Sequence, residues 1–89
     1  MASYSVKIKS SAQKEIRKLP SMEIRDKIVE IIDDLRINPV PDEAKKIKGS
    51  NNIYRIRQGT YRIVYQIYKD ELLIIVIRVR HRKDAYRGF

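Results

Sequence analysis

The chain has 89 residues, 20 lysines and arginines against 11 acids, and no cysteine. Its net charge is +9 and it is 43% hydrophobic, so one basic globular domain is expected. Disulfides and cysteine-ligated zinc are excluded, and a reducing, cytoplasmic setting is expected.

The first segment, MASYSVKIKS, has no apolar core and does not read as a secretory signal. Within it Val6 and Ile8 alternate with polar residues, which predicts a strand over residues 4–9. Ser10 followed by Gln13 has capping-box spacing and predicts the start of a helix. Ala12, Ile16 and Leu19 then give that helix one apolar stripe. Pro20 interrupts it, and Ser21 can cap a second helix. In that helix Ile24, Ile28, Ile31 and Leu35 hold the stripe, Val29 and Ile32 widen it, and Arg25, Glu30, Asp33 and Asp34 face water. An end near Asn38 is expected, because Pro39 follows.

NPVPDEA (38–44) reads as a loop and KKIKG (45–49) as a basic lead into the second half. From Ile53 the period becomes two. Strands are expected at about 53–57, 61–68 and 72–80, with turns at Gln58-Gly59 and Lys69-Asp70. The apolar run LLIIVI is far too short to span a membrane. The expected fold is α+β, in the order β-α-α-β-β-β. Two antiparallel helices would pack on one face of a small antiparallel sheet.

Charge divides unevenly. Residues 1–40 carry eight basic and six acidic side chains, and residues 41–89 carry twelve and five. The second half therefore holds +7 of the +9, a focused positive field that suits a polyanion. Alternation puts Arg55 and Arg57 on the strand face opposite Tyr54 and Ile56. In the last strand it separates Leu73, Ile75, Ile77 and Val79, expected under the helices, from Leu72, Ile74, Val76, Arg78 and Arg80. The free face should then be an apolar floor beside a basic wall, with Arg62 leaning over that wall. Guanidinium forks suit phosphate oxygens. Lys45, Lys46, Lys48, Arg78, Arg80, Lys83 and Arg87 are the expected RNA-binding surface. The six tyrosines offer stacking surfaces, although Tyr54, Tyr61 and Tyr65 suit strand packing equally well. One histidine and scattered acids make no metal-ligand set, and no cofactor is expected.

In AQKEIRKLP, LRINP, KKIKG, YRIRQGTYRIVYQIY and HRKDAY, taken in this order, the chain resembles the RelE branch of the RelE/ParE toxins. Those toxins belong to bacterial and archaeal toxin–antitoxin pairs. The resemblance spans nearly the whole chain, so residues 1–89 are expected to form a single RelE-like toxin domain. It implies a metal-independent endoribonuclease that cuts mRNA in the ribosomal A site by 2′-hydroxyl attack. It also implies a cytoplasmic hetero-oligomer with a RelB-like antitoxin that lays acidic, amphipathic segments over the toxin. Arg55 and Arg57 match two basic positions that hold the scissile phosphate, and Arg62 matches a phosphate-binding arginine. Arg82 matches an arginine near the leaving oxygen, and Tyr86 a tyrosine that activates the nucleophile. The first two positions are often lysine in the family, and arginine cannot readily donate a proton. The spacing from Arg82 to Tyr86 is also tighter than in some members. His81 is the rival base, because imidazole is the common side chain for general-base chemistry near neutral pH. Two other functions fit the composition: a ParE-like toxin that inhibits DNA gyrase and cuts nothing, and a plain basic RNA-binding module.

Overall fold

The computed structural model describes residues 3–84. Strand β1 (Ser5–Ile8) leads into helix α1 (Ser10–Arg17), and residues 18–21 join it to α2 (Met22–Asp34). A two-residue strand β2 (Lys45–Lys46) precedes β3 (Ile53–Gln58), β4 (Tyr61–Tyr68) and β5 (Leu73–His81). The sheet order is β1-β5-β4-β3-β2, antiparallel except where β1 joins β5 in parallel. This is the expected α+β architecture with a five-stranded, mostly antiparallel sheet. β1 is the strand expected near residues 4–9, but its parallel pairing and the short β2 depart from the expected all-antiparallel sheet. KKIKG has no alternation to mark a strand, and the β1–β5 partnership spans most of the chain.

The helix stripes fall largely as predicted. Ala12, Ile16, Leu19, Ile28, Ile32 and Leu35 are buried in one cluster with Ile56, Ile63, Tyr65, Ile67, Ile74, Val76 and Val79 of the sheet. Val29, expected to widen the stripe, is exposed instead, and Arg25 is half-buried rather than fully wet. Capping differs between the helices. Ser21 accepts from the Ile24 N–H at 3.1 Å, as expected of an N-cap. Ser10, by contrast, lies inside α1, and Lys9 takes the cap position without a side-chain bond. Gln13 does reach back, but its Nε2 donates to the Ile8 carbonyl at 2.8 Å. The second helix closes at Asp34, earlier than expected. The chain then tightens through bonds such as Arg36 N–H to the Asp33 carbonyl at 3.2 Å before reaching Pro39.

Register decides which residues share a face, because partners on adjacent strands project to the same side. Tyr61, Ile63, Tyr65 and Ile67 pair with His81, Val79, Val76 and Ile74 on the helix-covered side. The parity expected for the start of β5 is therefore wrong. Ile74 and Val76 face the helices, and Leu73 and Ile75 pair with Tyr68 and Gln66 on the open side. A bulge causes the change: Val76 pairs with Tyr65 and Arg78 with Val64, leaving Ile77 between them without a partner. One extra residue exchanges the faces, so Val79 is buried and Arg78 and Arg80 stay on the open side, as expected. The β4–β5 connection is also longer than a tight turn, a 3₁₀ turn (Lys69–Glu71) ending at Leu72 with φ 49°.

Tyr65 anchors the long loop. It has no exposed surface, stacks on Tyr54 at 5.9 Å, and donates its hydroxyl to the Pro39 carbonyl at 2.7 Å. Burial pushes its phenol well above the ordinary tyrosine range. Tyr65 thus belongs to the core, the packing role weighed against base stacking.

Candidate nucleic-acid interface

The open sheet face carries two rows of cations. Lys45, Arg55, Val64 and Arg78 stand in register across β2 to β5, and Arg57, Arg62 and Arg80 form the next row. Directly facing like charges are destabilising, so this ladder opposes the stability of the free protein. Val64 has no exposed surface although it lies outside the main core cluster. Its register partners are Arg55 on one side and Arg78 on the other, residues whose long aliphatic stems suit covering an apolar neighbour.

A tight turn at Gly59 and Thr60 completes the arrangement. Gly59 has φ +60°, a conformation that glycine adopts at little cost. Nothing lies within 4 Å of a Cβ built there, so backbone conformation rather than space favours glycine. The turn supplies carbonyls on two sides. Arg62 donates Nη1 to the Gly59 carbonyl at 3.3 Å and to its neighbour Tyr61 at 3.1 Å. The Arg82 N–H donates to the Thr60 carbonyl at 2.7 Å. One hairpin thereby fixes both Arg62 and the segment bearing Arg82.

Together these residues line a concavity of about 530 Å³, formed by Lys46, Ile47, Lys48, Arg55, Arg57, Arg62 and Arg82. Among the described residues, six of the seven lining side chains are cationic and none is a carboxylate. Lys46 also lies over the Tyr54 ring, with Nζ 5.8 Å from the centroid. Such a surface can hold phosphodiester oxygens and stabilise negative charge that grows on them. Its described lining contains no histidine, tyrosine or carboxylate, so a general base would have to come from elsewhere.

The four arginines matched by resemblance, Arg55, Arg57, Arg62 and Arg82, thus meet in one place. Tyr86 and Arg87 lie outside the described residues. Lys45 pairs with Arg55 in register but does not line the concavity, and Lys83 is exposed beyond it. Arg78 is half-buried, and burial with the nearby Arg80 guanidinium lowers its pKa from the usual arginine value. Arg80 is paired with Glu15 of α1.

His81 stands apart. It pairs in register with Tyr61 on the helix side, with the two rings edge-to-face at 5.8 Å. It lines a separate concavity of about 450 Å³ with Glu15, Lys18, Leu19, Tyr61, Val79, Arg80 and Asp84. Its Nδ1 accepts from the Lys83 N–H at 3.4 Å. The sheet therefore separates the rival base from the arginine cleft.

A two-layer α+β domain with an arginine-lined cleft on its bare sheet face defines a small basic protein able to hold a polyanion. Comparison with known proteins gives the family. Residues 6–86 match the model of the ParE toxin of type II toxin–antitoxin systems. The chain is 34% identical over 90 residues to the mRNA interferase toxin RelE of Escherichia coli, covering 93% of this chain and 90% of that protein. It is 40% identical over 80 residues to toxin RelE3 of Methanocaldococcus jannaschii, covering 85% and 88%. The fold is similar to the archaeal RelE–RelB complex of Pyrococcus horikoshii, with a TM-score of 0.81 at 30% identity over 93% of this chain and 99% of that one. The chain belongs to the RelE/ParE family of type II toxins and stands with the RelE toxins within it.

Proposed function

We propose that this toxin is an endoribonuclease that cuts mRNA in the ribosomal A site, and that a RelB-like antitoxin neutralises it in the cytoplasm. The observation that carries this reading is the convergence of Arg55, Arg57, Arg62 and Arg82 on one concavity whose described lining holds no carboxylate. RNA brings its own nucleophile. The 2′-oxygen attacks phosphorus, the bond to the 5′-oxygen breaks, and the strand ends as a 2′,3′-cyclic phosphate and a 5′-hydroxyl. The enzyme must hold these atoms in line, accept the 2′-hydroxyl proton and neutralise the pentacoordinate phosphate. Arg55, Arg57 and Arg62 would clamp the equatorial oxygens, and Arg82 would stabilise charge on the leaving 5′-oxygen, which takes its proton from solvent water. Guanidiniums supply this charge stabilisation themselves, so the mechanism needs no metal. Tyr86, four residues beyond Arg82, would take the proton, since cations beside a phenol favour its ionised form.

The antitoxin reading rests on complementary charge and on likeness. RelE is solved with RelB in the archaeal complex and in the intact E. coli RelBE complex, which matches at TM-score 0.76 and 29% identity. Acidic, amphipathic segments would suit the cationic rows and the Leu73–Ile75 floor. Because the matching family model is that of ParE, DNA gyrase is the competing target. Mapping transcript ends and DNA breaks in cells expressing the toxin decides between them. Codon-phased cuts in translated mRNA are expected. DNA breaks without such cuts would identify a gyrase poison, and neither lesion a plain RNA-binding module.

A further inference from the structure

The sheet runs out beside the cleft, and a helix residue takes over. β1 pairs with β5 only as far as Ile8 opposite Val76, and the Lys9 N–H donates to the Val76 carbonyl at 3.0 Å. Beyond that point the outer edge of β5 has no strand neighbour among the described residues. There Glu15 of α1 turns its carboxylate onto the edge. Oε1 accepts from the Val79 N–H at 3.0 Å, and Oε2 accepts from Nε of Arg80. The pair is largely shielded, with side-chain exposures of 21% for Glu15 and 34% for Arg80. From the opposite edge, Thr60 accepts the Arg82 N–H. The end of β5 is therefore gripped from both sides immediately before Arg82 enters the cleft. Glu15 also has an electrostatic effect, because Arg80 stands in register with Arg62.

We infer that Glu15 is a positioning residue for the arginine cleft: it fixes the end of β5 so that Arg82 lies beside Arg62, and it holds Arg80 away from the RNA path. This inference rests on the function proposed above, and the test separates the two. Glu15→Ala removes both bonds. Amide exchange at Val79 and Arg82 should quicken about tenfold, the order expected for losing a charge-assisted bond, while the β4 core amides keep their protection. Single-turnover cleavage of ribosome-bound mRNA should fall about tenfold with it, since misplaced groups lose near-attack geometry. Glu15→Gln keeps an acceptor for Val79 but frees Arg80. Val79 protection should survive, and binding to a short 2′-O-methylated RNA should gain about 0.7 in its log–log salt slope, one extra phosphate contact.

Arg82 protection indistinguishable from wild type in Glu15→Ala overturns the inference, as does an unchanged salt slope in Glu15→Gln. Should Glu15→Ala not fold, the glutamine variant alone decides. A wild-type chain that cuts no translated mRNA would refute the proposed function, while exchange and RNA binding would still decide the positioning.

Discussion

Replacing Arg62 with alanine should separate stability from activity more cleanly than any other change at the cleft. In the free protein the side chain gains two bonds to turn carbonyls at 3.1 and 3.3 Å. At a half-exposed site each is worth roughly 0.5 kcal/mol. Against this, Arg62 faces Arg57 on one side and Arg80 on the other. Relief of those two like-charge pairs returns about 0.5 kcal/mol each, although the Glu15 partner of Arg80 softens the second. The sum lies within about 0.5 kcal/mol of zero, so Tm should move by no more than about 4 °C. Catalysis has no such cancellation. Losing one preorganised donor to a phosphate that gains charge costs about 3 kcal/mol, or roughly a hundredfold in rate. The assay is single-turnover cleavage of ribosome-bound mRNA, beside a thermal melt of the same preparation. A folded Arg62→Ala protein that cuts at the wild-type rate refutes the phosphate assignment. A Tm loss of many degrees refutes the claim that the arginine rows work against stability.

Further outcomes follow from other parts of the structure. Tyr65→Phe should cost about 1–2 kcal/mol, or ~5–10 °C in Tm, by leaving the Pro39 carbonyl without its 2.7 Å donor; an unchanged melt would mean that water replaces the bond. Burial raises the folded Tyr65 pKa above its unfolded value near 10, so that group's contribution is full below about pH 10 and is lost as pH rises further. Alkaline titrations of wild type and Tyr65→Phe should therefore converge, and parallel curves would contradict this. Tyr86→Phe should slow single-turnover cleavage at least about a hundredfold, while His81→Gln, on the far side of the sheet, should lose less than about tenfold. The reverse ranking would transfer the base to His81. Antitoxin affinity should weaken as salt rises, measured by calorimetry across ionic strengths, and a flat response would remove the cationic rows from that interface.

How far the sequence discloses the fold depends on where neighbouring residues contrast. In β3, Tyr54 and Ile56 alternate with Arg55 and Arg57, so local parity assigns both faces and the register agrees. Ala12, Ile16 and Leu19 are separated by polar residues, and their stripe is legible for the same reason. Leu73 to Ile77 is apolar on both faces, and parity there has nothing to anchor it. The bulge at Ile77 passes unseen, and the expected floor exchanges Ile74 and Val76 for Leu73 and Ile75. Contrast returns at Arg78, Val79 and Arg80, and so does the correct assignment. β2 is too short for any period, and nothing in the sequence links Glu15 to a strand 64 positions away. The cleft escaped these failures because its residues break the pattern that stability prefers. A sheet face selected for folding alone would mix charges along its rows; here Glu15 offsets only Arg80, and a bound phosphate would offset the facing arginines that remain. The residues least favourable to the isolated fold are thus the ones most legible in the sequence, and under the proposed function they are where RNA would bind.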